Sequence, residues 1–178
     1  MAHFEKTLDS KEIFNGKVIR VCHDTVLLED GNTAKREVVY HNGGVCVLPL
    51  CENGDVIFVK QFRYPYREEL LELPAGKLNA GEEPLESGKR ELLEETGAVA
   101  GEYTDLGKLY PSPGYCGEII SIYLAENLSF ESQKLDEDEF LDVVRIPLKK
   151  AVEMVLKNEI PDSKTQTAIL KAHLLKNK

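Results

Sequence analysis

Between Gly76 and Ala98 the chain reads GKLNAGEEPLESGKRELLEETGA, a run that has to form a helix while crowding carboxylates onto it. From Gly81 to Gly97 it carries Glu82, Glu83, Glu86, Glu91, Glu94 and Glu95 against only Lys89 and Arg90. Pro84 suits a first helical turn, where a missing N–H has no intrahelical use, and Gly97 suits the position just past a helix end. The segment therefore predicts one helix over residues 84–96. At about 100° per residue, Leu85, Gly88, Leu92, Leu93 and Thr96 gather on one side. Glu91, Glu94 and Glu95 fall on the other, within roughly a quadrant to a third of the circumference.

Like charges three and four residues apart cost about 0.2–0.5 kcal/mol per pair, so a purely structural helix gains nothing from this clustering. One reading is a solvated acidic face, the usual fate of a charge run. The other is a set of hard oxygen ligands for Mg²⁺ or Mn²⁺. Glu91 and Glu95, one turn apart, are the first choice as direct ligands. Glu94 lies between them and could hold a second ion or orient a bound water. Arg90 points away from the ligand face, and its expected role is to pair with a carboxylate, with Glu82 the candidate, fixing the loop against the helix. Gly88 costs roughly 1 kcal/mol in mid-helix relative to alanine, and close approach to a neighbouring strand would explain it.

At 178 residues the expectation is one domain, 1–178, with N-terminal strands in 1–42 and a core in 43–178. Residues 18–29 and 36–41 read as strands around the turn Glu29-Asp30-Gly31-Asn32. Val45–Leu50 and Val56–Gln61 flank Asn53-Gly54, a hairpin cue. Further strands are expected at 70–73, running into Pro74-Ala75-Gly76, and at 103–110, 119–125 and 140–146. Helices are expected at 148–157 and 163–176, the second capped by Asp162 or Ser163. Strands on both sides of a central helix, with helices closing the chain, predict an α/β fold with a mixed sheet between helical layers.

The net charge of −9 disfavours nucleic acid as a partner, although an acidic protein can still bind a diphosphate through intervening cations. No apolar run is long enough to span a membrane. The start MAHFEKTLDS has no secretory apolar region, so a cytoplasmic location is expected. Cys22, Cys46, Cys51 and Cys116 suit no zinc site and are expected as reduced thiols. His3, His23, His41 and His173 have no ligand spacing and read as ordinary surface or partly buried residues. Tyr64, Tyr66, Tyr110 and Tyr115 could stack on a base or simply pack.

The segment from Gly76 fits, at every specified position, the signature of the Nudix hydrolases: a glycine, five residues, Glu82, seven residues, then Arg90-Glu91-Leu92, and after one residue Glu94-Glu95, Thr96, Gly97 and Ala98. Flanking words resemble the ADP-ribose pyrophosphatase branch. They are Leu71-Glu72-Leu73-Pro74-Ala75-Gly76, Ser112-Pro113-Gly114 followed by Glu118, and Leu135-Asp136-Glu137-Asp138-Glu139.

The resemblance implies the Nudix fold, an α/β/α sandwich, and Mg²⁺-dependent hydrolysis of ADP-ribose to AMP and ribose 5-phosphate by metal-activated water. It implies a ligand from the backbone carbonyl of Ala75, Glu137 as general base and Glu139 as a further ligand, although a solvated loop is the plainer reading of that acidic stretch. Gly76, Glu82, Arg90 and Gly97 would support the site structurally. Arg63 ends a strand and should face the phosphates. Arg36 and Glu37 should reach the nucleotide end, the Ser112-Pro113-Gly114 turn the ribose, and Glu118 the ribose or a metal. Similar enzymes are homodimers with N-terminal strands reaching the partner, which implies the same for residues 16–42 and Arg36. Two alternatives stay open: hydrolysis of another nucleotide sugar, NADH or a dinucleoside polyphosphate, and a module that senses ADP-ribose without cleaving it. Sensing modules commonly lose a helix glutamate, whereas Glu91, Glu94 and Glu95 are all present.

Overall fold

The computed structural model describes residues 3–135 and 139–177. It forms two compact units: the chain up to Gly43 with Tyr110–Ile119, and Gly44–Leu109 with Ile120 onward.

The first unit is an antiparallel sheet of β1 (Lys6–Asn15), β2 (Ile19–Leu27) and β3 (Thr33–His41), in that order. In β2, Cys22, Asp24 and Val26 alternate inward while their neighbours stay partly exposed, which is the period-2 signal that makes the strand legible. The turn to β3 uses Gly31 at φ 85°, and the Asn32 amide donates to Asp30 Oδ1 at 3.0 Å. β1 was not expected. Every one of its residues is exposed, so no burial pattern marks KTLDSKEIFN as a strand; only its ladder to β2 makes it one. Residues 110–119 dock on β3, with the Val39 amide donating to Tyr115 O (2.8 Å) and the Gly117 amide to Val39 O (2.8 Å).

The second unit contains β4 (Gly44–Pro49), β5 (Asp55–Arg63), β6 (Glu68–Glu72), β7 (Ala75–Lys77), α1 (Pro84–Thr96), β8 (Ala98–Leu109), β9 (Ile120–Phe130), β10 (Leu141–Pro147), α2 (Leu148–Leu156) and α3 (Ser163–Lys176). One sheet has the order β7-β4-β9-β8 and is mixed, since β4 and β9 run parallel and the other pairs antiparallel. The other sheet is antiparallel, in the order β10-β5-β6.

All of β4 is buried, as expected of a strand covered on both faces. Val45 and Val47 pack with Leu92 of α1, while Cys46 and Leu48 join the cluster holding Ala168, Ile169 and Ala172 of α3. Alternation along this strand thus sets α1 on one side and α3 on the other, the expected α/β/α arrangement.

The expected hairpin at Asn53-Gly54 forms only as a turn. Gly54 sits at φ 87° and the Cys51 amide donates to Asp55 O at 2.8 Å. A single bridge, Leu50 to Val56, joins the two strands before they part into different sheets. Turn chemistry decided the reversal, but β4 has both its edges taken by β7 and β9. The Cys22, Cys46, Cys51 and Cys116 thiols are free. Among the described residues no helix is long and apolar enough to cross a membrane.

Candidate active site

The loop from Pro74 to Glu82 delivers the chain from β6 into α1. Its first part is a strand that was not expected: Ala75–Lys77 forms β7, with Ala75 opposite Cys46 and Gly76 opposite Val45. α1 begins with Pro84 in its first turn and ends at Gly97, whose left-handed φ of 70° and amide bond to Leu93 O (2.8 Å) close the helix. A Cβ on Gly97 would come within 2.5 Å of Glu131 O, so both backbone angle and space require glycine there.

The inward face of α1 differs from the expected one. Its buried stripe is Gly88, Glu91, Leu92 and Glu95, at the i, i+3, i+4, i+7 spacing of a core face, with Ser87 beside it. Leu85, Leu93 and Thr96 are only partly buried. Gly88 explains the rotation. A Cβ there would lie 3.0 and 3.1 Å from Val45 and Val47 Cγ2, so its absence lets the helix lean onto β4 and turns the neighbouring carboxylates inward. Glu91 and Glu95 are 8% and 3% exposed, which removes the solvated-face reading for both.

Buried carboxylates need compensation, and here it is incomplete. The Ala75 amide donates to Glu95 Oε2 at 3.1 Å. Burial nevertheless pushes the Glu95 carboxyl up to about 8, with the negative charges of Glu91 and Glu139 adding to it and Arg63 opposing. Glu91 is pushed up too, first by burial, then by Glu94 and Glu139, against the pull of Arg90.

Arg90 pairs with Glu82, at 3.1 Å from Nε and 3.3 Å from Nη2, and also extends to the helix carboxylates. Nη1 lies 2.9 Å from Glu91 Oε1 and 2.9 Å from Glu94 Oε2. Glu82 in turn accepts from Asn79, whose backbone amide is 2.9 Å away, so one guanidinium fastens the loop to the helix.

This donor set fits a divalent cation. It consists of hard oxygens, it carries more negative charge than its cations offset, and it has a built cradle: a Cβ on Gly76 would fall inside the Glu91 carboxylate. Among the described residues no three His, Cys, Asp or Glu side chains are gathered closely enough to hold an ion in this conformation. Arg90 occupies one oxygen each of Glu91 and Glu94, as a cation substitute would.

Of the residues singled out from sequence, Ala75, Gly76, Glu82, Arg90, Glu91, Glu94, Glu95, Gly97, Arg63 and Glu139 belong to the second unit, and Glu139 lies near enough to act on Glu91 and Glu95. Asp136, Glu137 and Asp138 lie outside the described residues. Arg36, Glu37, Ser112, Pro113, Gly114 and Glu118 belong to the first unit. There Arg36 grips Glu5 through Nε (2.9 Å) and Nη2 (2.5 Å), and Ser112 O accepts from the Cys116 amide at 2.9 Å, closing the expected turn. Glu118 sits 3.6 Å from Nδ1 of His41, a histidine that is partly buried, within the expected range.

Arg63 is not simply an open phosphate ligand. Its Nε and Nη2 donate to Glu72 at 2.6 and 2.7 Å, and Lys164 of α3 holds the same carboxylate. Glu72 and Lys164 were missed. A glutamate in the apolar word Leu71-Glu72-Leu73 was the available signal; nothing local points to a lysine 92 residues away.

A family model described as the NUDIX domain matches residues 40–168. This chain belongs to the Nudix family. A second model, described as the nucleoside diphosphate sugar hydrolase N-terminal domain, matches residues 5–39 of this Nudix hydrolase, the stretch of β1 to β3. The chain is 46% identical to an ADP-ribose pyrophosphatase of Bacillus subtilis (strain 168), over 93% of its length and 90% of the relative's. It is 40% identical to a methanol dehydrogenase activator of Bacillus methanolicus, with the same shares of 93% and 90%. A crystal structure of an ADP compounds hydrolase superposes with a TM-score of 0.86 at 23% identity, covering 96% of this chain and 93% of that one, a likeness of fold. Nudix hydrolases depend on divalent cations and act on small nucleotides, in keeping with the carboxylates on α1.

Proposed function

We propose that this Nudix hydrolase is an Mg²⁺-dependent ADP-ribose pyrophosphatase that yields AMP and ribose 5-phosphate. The carrying observation is the complete carboxylate set on α1, with Glu91 and Glu95 buried, in a chain close to an ADP-ribose pyrophosphatase over nearly its whole length. When bound, the cation neutralises the diphosphate oxygens and acidifies water. Glu91, Glu95 and the Ala75 carbonyl hold it, with Glu94 and Glu139 completing the set or orienting water; Mn²⁺ suits the same oxygens.

Water attacks one phosphorus in line, forming a P–O bond as the bond to the bridging oxygen breaks, and Glu137 takes the proton. Arg63 faces the diphosphate. Arg36, Glu37, the Ser112-Pro113-Gly114 turn and Glu118 contact the nucleotide and ribose. The whole chain acts as one functional domain, cytoplasmic and homodimeric, with the 1–42 strands at the dimer contact.

Turnover of ADP-ribose in ¹⁸O water with excess Mg²⁺ tests this reading. The expected result is AMP plus ribose 5-phosphate with label in one of the two phosphates. Faster cleavage of NADH, a dinucleoside polyphosphate or another nucleotide sugar, or binding without cleavage, overturns it.

A further inference from the structure

Glu72 lies on β6 with 1% of its surface exposed, yet two cations converge on it. Arg63 reaches it from β5 through two parallel bonds, and Lys164 reaches it from the first turn of α3. Lys164 also lies 3.0 Å from Asp162 Oδ1, the residue that caps α3 by accepting from the Thr165 amide. Thr165 Oγ1 accepts from the Leu73 amide at 2.9 Å, so the start of α3 is docked on the strand that carries Glu72.

A buried ion cluster of this kind gives little net stability compared with apolar residues of the same volume. What it does give is a fixed direction. A guanidinium held by Nε and Nη2 on a planar carboxylate cannot rotate away, and it presents its remaining edge in one orientation. In Arg63 that edge is Nη1, which makes no bond among the described residues, on a side chain 37% exposed. The guanidinium is also close enough to Glu95 to oppose the upward pull on its carboxyl. The free edge therefore lies within electrostatic reach of the helix that holds the carboxylates.

We propose that Glu72 is a positioning residue, held in place by Lys164, that aims the Nη1 edge of Arg63 at the substrate's diphosphate. This rests on the reading that Arg63 binds the diphosphate. Lys164 neutralises the charge that Arg63 leaves on Glu72, so the carboxylate stays ionised when the guanidinium engages an anion. Neither Glu72 nor Lys164 touches substrate.

Steady-state kinetics on a double-mutant cycle tests it, with ADP-ribose and saturating Mg²⁺ on the full chain. Glu72→Gln is expected to raise KM by roughly tenfold or more while kcat moves less than about threefold, a loss of binding rather than of chemistry. Added to Arg63→Ala, the same change should shift KM by less than about twofold, because its effect passes through Arg63. Lys164→Met should raise KM and Lys164→Arg should restore it. A folded Glu72→Gln protein with wild-type KM overturns the proposal, as does an equal effect of Glu72→Gln with and without Arg63. An Arg63→Ala protein with unchanged KM instead removes the underlying reading of Arg63. Should Glu72→Gln fail to fold, the neutral pair Glu72→Gln with Lys164→Met serves in its place, with the same expected rise in KM and the same refutation.

Discussion

Glu95 sets function against stability in a way that can be measured. Its carboxyl is moved from 4.5 to about 8, mainly by burial. The folded state therefore holds the proton more tightly than the unfolded chain, and stability falls as pH rises from about 4.5 through about 8. A displacement of that size corresponds to a ceiling on the order of 5 kcal/mol once the carboxylate is ionised. Relaxation around Glu91 and Glu139 reduces it, and half of it is still roughly 2 kcal/mol, or about 5 °C in melting temperature for a chain this long.

Glu95→Gln removes the charge and leaves an oxygen that can accept from Ala75. In EDTA at pH 9 the variant should melt at least about 5 °C above wild type, and at pH 4.5 the gain should vanish. With Mg²⁺ restored, its turnover should fall by about a hundredfold or more. A melting temperature equal to or below wild type at pH 9, or the same gain at both pH values, refutes the argument that an uncompensated buried charge sits at this position.

Gly76→Ala places a methyl where the Glu91 carboxylate rests, so activity should drop by about a hundredfold with little change in melting, and normal kcat/KM would refute the cradle. Gly97→Ala forces a side chain into a left-handed angle and against Glu131 O, and denaturant unfolding should show a loss of about 1–3 kcal/mol. Mg²⁺ at a hundred times its Kd should raise the melting point by the equivalent of about 2.7 kcal/mol at pH 8, and an unmoved melting curve would count against cation binding at α1.

Some of this was readable residue by residue. Pro84 and Gly97 bound α1 correctly because both act through their own backbone, and Asp162 caps α3 for the same local reason. The face of α1 was not readable. Sequence periodicity ranks carboxylates as outward, and only the bare Gly88 against Val45 and Val47 turns Glu91 and Glu95 in. β1 escaped because its exposed residues carry no alternation, and the Asn53-Gly54 turn gave no hint that β4 and β5 would separate.

By itself the sequence determined the chemistry that is local: the helix and its ends, the turns, the oxygen donors at fixed spacing, and through that spacing the Nudix family. Tertiary structure decided what depends on neighbours far along the chain. Lys164 meets Glu72 across 92 residues, and Glu95 acquires its raised carboxyl only when packing strips it of water. Spacing is written in covalent bonds, whereas burial and charge pairing exist only once distant segments exclude solvent together.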